Sequence, residues 1–265
     1  MDELSNKRGQ LVVKHNDLIQ KGKNNLTLTQ QKLIAYVISL IKPTDTELKK
    51  YEINVSDFCE LCGIDRNYFY SEFKDIIDDI DNKAFWVDTE EKTFKFRWFL
   101  KAEYIKNKGK VLLLLDDDIK AYLLGLKERY TSYELYNILA MKSKYSVSVY
   151  ELYKSYAYKT EQTFDIDELK YLLSAEHYTN FKDFRTRVLE VAIKDINLYT
   201  DLSVSYDVIK RGRKVVKVKF NIKRKPALER LQGYYKTIDV INKRNNQIQG
   251  QISMFDRTVE EIQDE

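Results

Sequence analysis

One structural grammar, a short strand followed by a short helix, a turn, a longer helix and two closing strands, is written twice in these 265 residues. The first copy reads as Tyr51–Asn54, a helix over Val55–Cys62, a turn at Gly63, a helix from Arg66 to Ile80, and strands Thr93–Phe99 and Lys110–Leu115. The second reads as Phe164–Asp167, a helix over Glu168–Ser174, a turn through Glu176–Thr179, a helix from Asn180 to Leu198, and strands Leu202–Ile209 and Val215–Ile222. An amphipathic helix precedes each copy, Thr29–Ile41 and Val147–Tyr158, with apolar residues recurring at three- and four-residue steps. A repeated unit of this size restricts the fold to duplicated modules. Helix, helix, turn, helix and a two-stranded wing make a winged helix, so the expected fold class is α+β, with tandem winged-helix domains, each a helix-turn-helix with a β wing. The expected division is 1–130, 131–225, and a flexible tail over 226–265, where the sequence turns polar after Pro226.

Composition excludes several classes. At 43% hydrophobic and 32% charged, the chain is neither disordered nor membrane-embedded. Its longest apolar run, Val111–Leu115, is far too short to span a bilayer. No export signal is evident near Met1, and a bacterial cytoplasmic location without membrane contact is expected.

Charge is unevenly placed. Ser203–Lys225 holds nine basic residues against Asp207 alone, whereas Asp57–Glu91 holds eleven acids against Arg66, Lys74 and Lys83. A local excess of cations is what attracts a polyanion. In a helix-turn-helix the second helix enters the major groove and must offer hydrogen-bonding side chains outward. At 100° per residue, Phe181, Phe184, Val188, Val191 and Ala192 share one side of the second copy's long helix, while Lys182, Asp183, Thr186, Arg187, Glu190 and Lys194 share the other. Arg185 falls at the edge of the apolar stripe, and Asn180 is placed to cap the helix. The hairpin Lys210-Arg211-Gly212-Arg213-Lys214 has a glycine where a tight turn needs positive φ, and Lys217 alternates with apolar neighbours on the following strand. These residues form the expected duplex-DNA surface. Lys95, Arg97 and Lys101, on the first copy's wing, are its expected auxiliary part.

Catalytic and cofactor readings fare worse. Cys59 and Cys62 have the spacing of half a zinc site, but zinc takes four ligands and only His15 and His177 remain. Two cysteines packed inside a helix are the better account. Asp116-Asp117-Asp118 suits a solvated turn that caps the next helix. Twenty tyrosines leave a strand-nicking nucleophile open, yet no histidine or carboxylate cluster accompanies them, and no glycine-rich phosphate loop occurs. A non-enzymatic protein without metal or cofactor is expected.

Leu26–Leu33, Ser143–Ser146 with Tyr150–Leu152, Phe164–Leu169, Phe181–Phe184 with Val188–Glu190, and Gly212–Val216 carry, in order and spacing, a resemblance over Leu11–Lys225 to plasmid replication initiators that bind iterons, short direct repeats at the origin. The resemblance implies that the second winged helix is the main DNA-binding unit and that the first makes a dimer interface and assists. It implies that monomers bind the repeats to start replication, that dimers repress the initiator's own promoter, and that host replication proteins, including the replicative helicase machinery, are recruited. Base reading falls to Lys182, Arg185, Thr186 and Arg187, and phosphate or wing contact to Lys210, Arg211, Arg213 and Lys214. A winged-helix transcription repressor and, further off, a rolling-circle nicking enzyme are the competing readings. In the tail, Gln251-Ile252-Ser253-Met254-Phe255 resembles the peptide by which bacterial replication proteins dock on the sliding clamp, which would make the clamp another partner.

Overall fold

The computed structural model of the chain describes residues 3–23, 25–83, 85–88, 93–105 and 108–263. Its elements run α1 (Glu3–Arg8), β1 (Leu11–His15), α2 (Asn16–Gln20), α3 (Leu28–Ser39), β2 (Lys50–Asn54), α4 (Val55–Cys62), α5 (Arg66–Asn82), β3 (Phe85–Asp88), β4 (Thr93–Phe96), β5 (Phe99–Ile105) and β6 (Lys110–Leu115). After a 3₁₀ turn over Asp117–Tyr122 come β7 (Tyr130–Glu134), α6 (Tyr136–Leu139), α7 (Lys144–Ser155), β8 (Glu161–Asp165), α8 (Ile166–Leu172), α9 (Phe181–Phe184), α10 (Glu190–Tyr199), β9 (Leu202–Arg211), β10 (Lys214–Arg224) and α11 (Ala227–Gln263).

The duplication is visible in strand order. One three-stranded sheet runs β2-β6-β5 and the other β8-β10-β9, so in each the strand before the helix-turn-helix pairs with the last strand of the wing. Both turns between the paired helices pass through a left-handed residue, Gly63 at φ 62° and Ser174 at φ 48°. The helices begin where side chains accept otherwise orphaned backbone N–H groups. Asn54 accepts from Ser56, Asp65 from Tyr68, and Thr27 and Gln30 cap α3 reciprocally as a capping box.

The first wing differs from the sequence expectation. Thr93–Phe99 is not its leading strand: β4 pairs with β3 in a separate hairpin, and β5 pairs with β6 instead. Aromatic packing accounts for this, because Phe94 and Phe96 stack edge-on with each other and both contact the Tyr122 ring on the 3₁₀ turn. β5 escaped notice because its surface is mostly exposed, with Leu100 turned to solvent. The pairing of β1 with β7 was also missed, and the strand Tyr130–Glu134 straddles the expected division after residue 130.

The two halves share one hydrophobic core. α3 and α7 pack on each other and are buried almost all round, as a helix must be when both faces meet protein. Polar residues in this seam are matched across it. Lys32 Nζ donates to the carbonyls of Leu139 (2.7 Å) and Met141 (3.1 Å), and Gln31 donates to Ser148 Oγ at 3.2 Å. Burial lowers the Lys32 ammonium to about 8. Cys59 and Cys62 are buried, unlinked thiols on α4, raised by burial to about 12 and about 11, so they are protonated core residues. Asp116 caps the 3₁₀ turn by accepting from the Asp118 N–H.

The expected flexible tail is helical. α11 packs against α4 of the first helix-turn-helix, α10 of the second, and α6 between them. Thr237 and Ile241 are fully buried, the Tyr234 ring meets Tyr136 edge-on, Arg244 donates to the Ala140 carbonyl at 2.7 Å, and Asn245 donates to the Glu60 carbonyl at 3.0 Å. Gly63 makes room for this contact, since a Cβ there would stand 2.9 Å from Arg244 Cβ. Within this stripe hydrogen bonds to backbone carbonyls accompany the apolar contacts, which is why polarity misreads it as tail. The helical backbone extends through residues 251–255, while the side chains of residues 252–255 lie outside the described residues.

Candidate nucleic-acid interface

The second half presents a concave cleft of about 880 Å³ between the helix-turn-helix and the wing, lined by Asn180, Phe181, Arg185, Tyr206, Lys210 and Lys214 among others. One wall is the α9–α10 segment, the other the β9–β10 hairpin.

Asn180 starts the helical wall as expected: its Oδ1 accepts from the Asp183 N–H at 2.8 Å and its Nδ2 donates to Asp183 Oδ2 at 2.6 Å. Phe184, Val188, Leu189, Ala192 and Ile196 are fully buried and seat the segment on the core. Lys182, Arg185, Thr186, Arg187 and Lys194 are exposed. Arg185 Nε lies 3.3 Å from Glu190 Oε1.

The wing is a long two-stranded ribbon in which Lys214 pairs with Arg211, leaving Gly212 and Arg213 as a two-residue loop. Gly212 has φ 61°, which the tight hairpin requires and only glycine adopts without strain. Lys210, Arg211, Arg213 and Lys214 are exposed, and among the described residues no carboxylate lies within ion-pair distance of them. The base of the wing is different. Lys217 lies 3.3 Å from Asp165 Oδ1 and Lys219 2.6 Å from Glu161 Oε2, both across the β8–β10 ladder. The alternating cations of β10 are thus neutralised by their own sheet, and the unpaired charge gathers at the tip.

Three positioning residues carried no sequence signal of their own. The Asn197 side chain bonds both ways with β9, donating to the Val204 carbonyl (2.8 Å) and accepting from its N–H (2.7 Å), which ties the helical wall to the wing. Lys170 donates to the Tyr178 carbonyl at 2.6 Å and closes the helix-turn-helix loop. Lys225, counted in sequence with the basic segment, turns inward: its Nζ donates to the carbonyls of Asn197 (2.7 Å) and Thr200 (2.9 Å) at the C-terminal end of α10. A cation there satisfies carbonyls that the helix leaves orphaned. Lys225→Ala should therefore lower stability by about 1–3 kcal/mol in a urea melt, with a smaller effect for Arg224→Ala, whose side chain is exposed.

In the first half, Lys101 lies on the wing strand β5 but is 2.8 Å from Glu103 Oε1, and Glu103 also accepts from Lys50. These two ammonium groups hold the Glu103 carboxyl at about 2. Lys95 lies on β4 and Arg97 follows it, both exposed and both off the wing. The three are not brought together as the second wing's cations are.

Comparison with known proteins finds a family with two winged-helix domains. The family model described as "Initiator Replication protein, WH1" matches residues 11–154, and "Initiator Rep protein, WH2" matches residues 165–222. An Escherichia coli "Replication initiation protein" is 27% identical over 215 residues, covering 77% of this chain and 66% of that protein. The Escherichia coli "PI protein" is 32% identical over 136 residues, 44% of this chain and 45% of its own length. The chain therefore spans about two thirds and about half of these relatives. A solved structure, "Crystal structure of Pi initiator protein in complex with iteron DNA", superposes with TM-score 0.69 at 21% identity, over 82% of this chain and 98% of that one, and so shares the fold. With both matched segments present in one chain and in the same order, the protein belongs to the initiator replication protein family, whose first and second winged-helix domains it carries.

Proposed function

We propose that the chain is a plasmid replication initiator that binds direct repeats at an origin as a monomer and recruits host replication proteins, with a dimer that represses its own promoter. The observation that carries the reading is the cleft of the second winged helix, where Asn180 and Arg185 line one wall and Lys210, Arg213 and Lys214 the other, the four cations of the wing tip having no carboxylate partner within ion-pair distance among the described residues. A helix wall of this kind reads base edges in the major groove, and a cationic ribbon grips phosphates or enters the minor groove. The family membership and the iteron-bound relative of the same fold support the choice of ligand. The protein acts by binding alone, and its first half supplies the surface on which two copies meet. Gln251–Phe255 is the segment through which it engages the sliding clamp, after the helix locally unwinds.

Footprinting on the encoding replicon tests this. Protection of phased direct repeats spaced by about two helical turns is the expected result. Protection confined to one promoter palindrome would make the protein a repressor, and a strand break with protein joined to a 5′ end would make it a nickase. Clamp capture that survives deletion of residues 251–255 would remove that segment from the scheme.

A further inference from the structure

The helical wall of the cleft is not evenly wound. Between α9 and α10 the chain makes one widened turn over Arg185–Leu189, closed by the Glu190 N–H donating to the Arg185 carbonyl five residues back rather than four. A turn of this kind holds one residue more than an α-turn and shifts the phase of the residues beyond it. The shift matters most at Arg185. In a regular helix it would fall on the edge of the stripe formed by Phe181, Phe184, Val188 and Ala192, against the core. In the structure Phe184, Val188 and Ala192 are fully buried, yet Arg185 is exposed and lines the cleft.

The ion pair confirms the phase. Arg185 Nε reaches Glu190 Oε1 at 3.3 Å, a pairing of residues five apart. On a regular helix such residues stand roughly 140° apart and only those three or four apart are neighbours. The widened turn puts them on one side.

We infer that the widened turn is a specificity device: it rolls Arg185 out of the buried stripe and into the cleft as a base reader, and it places Glu190 as the counter-ion that Arg185 leaves when it meets DNA. Glu190 is thereby a specificity-determining residue. Off target, its carboxylate holds the guanidinium and repels phosphate. On target, a guanine edge offers two acceptors in place of that one ion pair. The inference rests on the proposed function, because it needs a duplex in the cleft.

The test is a titration of full-length variants against a direct-repeat duplex and a scrambled duplex at one fixed salt concentration. Arg185→Ala is expected to weaken repeat binding roughly tenfold or more while changing scrambled binding far less, as is Arg187→Ala. Glu190→Gln is expected to tighten scrambled binding severalfold and narrow the ratio. Deletion of Thr186, which lets the segment wind as one α-helix with Phe184, Val188 and Leu189 still in register, is expected to abolish the preference, whereas Thr186→Ala keeps most of it. Equal loss on both duplexes for Arg185→Ala, or an unchanged ratio for Glu190→Gln, overturns the inference, and neither substitution removes a core side chain. A wild-type chain with no preference for repeats overturns the proposed function itself, and the inference with it.

Discussion

Replacing Lys210, Arg211, Arg213 and Lys214 together with alanine should weaken binding to any duplex by roughly 10²–10³-fold and flatten the salt dependence. Each phosphate contact contributes about −0.9 to the slope of log K against log salt, so four lost contacts remove about three to four from it. All four side chains are exposed at the wing tip and none lies within ion-pair distance of a carboxylate among the described residues, so neutralising them should leave stability within about 0.5 kcal/mol. The paired substitution Lys217→Ala and Lys219→Ala is the matched comparison. Those ammonium groups already face Asp165 and Glu161, and their loss should change the slope by less than one. Equal flattening in the two variants would show that the tip has no special role.

Glu151→Ala should destabilise the protein by about 3–5 kcal/mol, a large effect for a single substitution. Glu151 lies on α7 and accepts from Lys14 Nζ on β1 at 2.6 Å and from the Tyr133 hydroxyl on β7 at 2.5 Å, all three being buried. Removing the carboxylate leaves a buried ammonium and a buried hydroxyl without their acceptor. The urea midpoint should fall with the slope of the transition unchanged. The double variant Lys14→Met with Glu151→Leu removes both charges and should recover most of the loss. A single variant as stable as the wild type would mean that water reaches Lys14.

How much of the molecule was legible beforehand depended on the kind of signal. The duplicated winged helix was readable because its parts bury apolar residues at fixed periods and its turns need particular residues, as at Gly63 and Gly212. The wing tip was readable from charge alone. The widened turn was not, since a sequence wheel assumes even winding and therefore leaves Arg185 only at the edge of the apolar stripe. Nor was the pairing at the base of the wing, because Lys217 and Asp165 are neighbours only through strand register. Lys225 shows the same limit: its charge looked like part of the grip, and the structure uses it to close α10. The helical tail was missed for a different reason. Tyr234, Thr237, Ile241 and Arg244 do recur at helical spacing, but two of the four are polar, and a search for apolar periodicity passes over them.

α11 also has a place in time. Ribosomes make the chain from its N-terminus, and domains fold largely as units in that order. The helix that touches α4, α6 and α10 is synthesised after all three. The α3–α7 seam is complete in sequence before this strap exists, and the strap adds a later set of contacts between the winged helices. A chain clipped after Lys225 keeps every residue of the cationic wing but lacks the Arg244 and Asn245 contacts to Ala140 and Glu60. The contacts that tie α4 to α10 through α11 are thus the last to be translated.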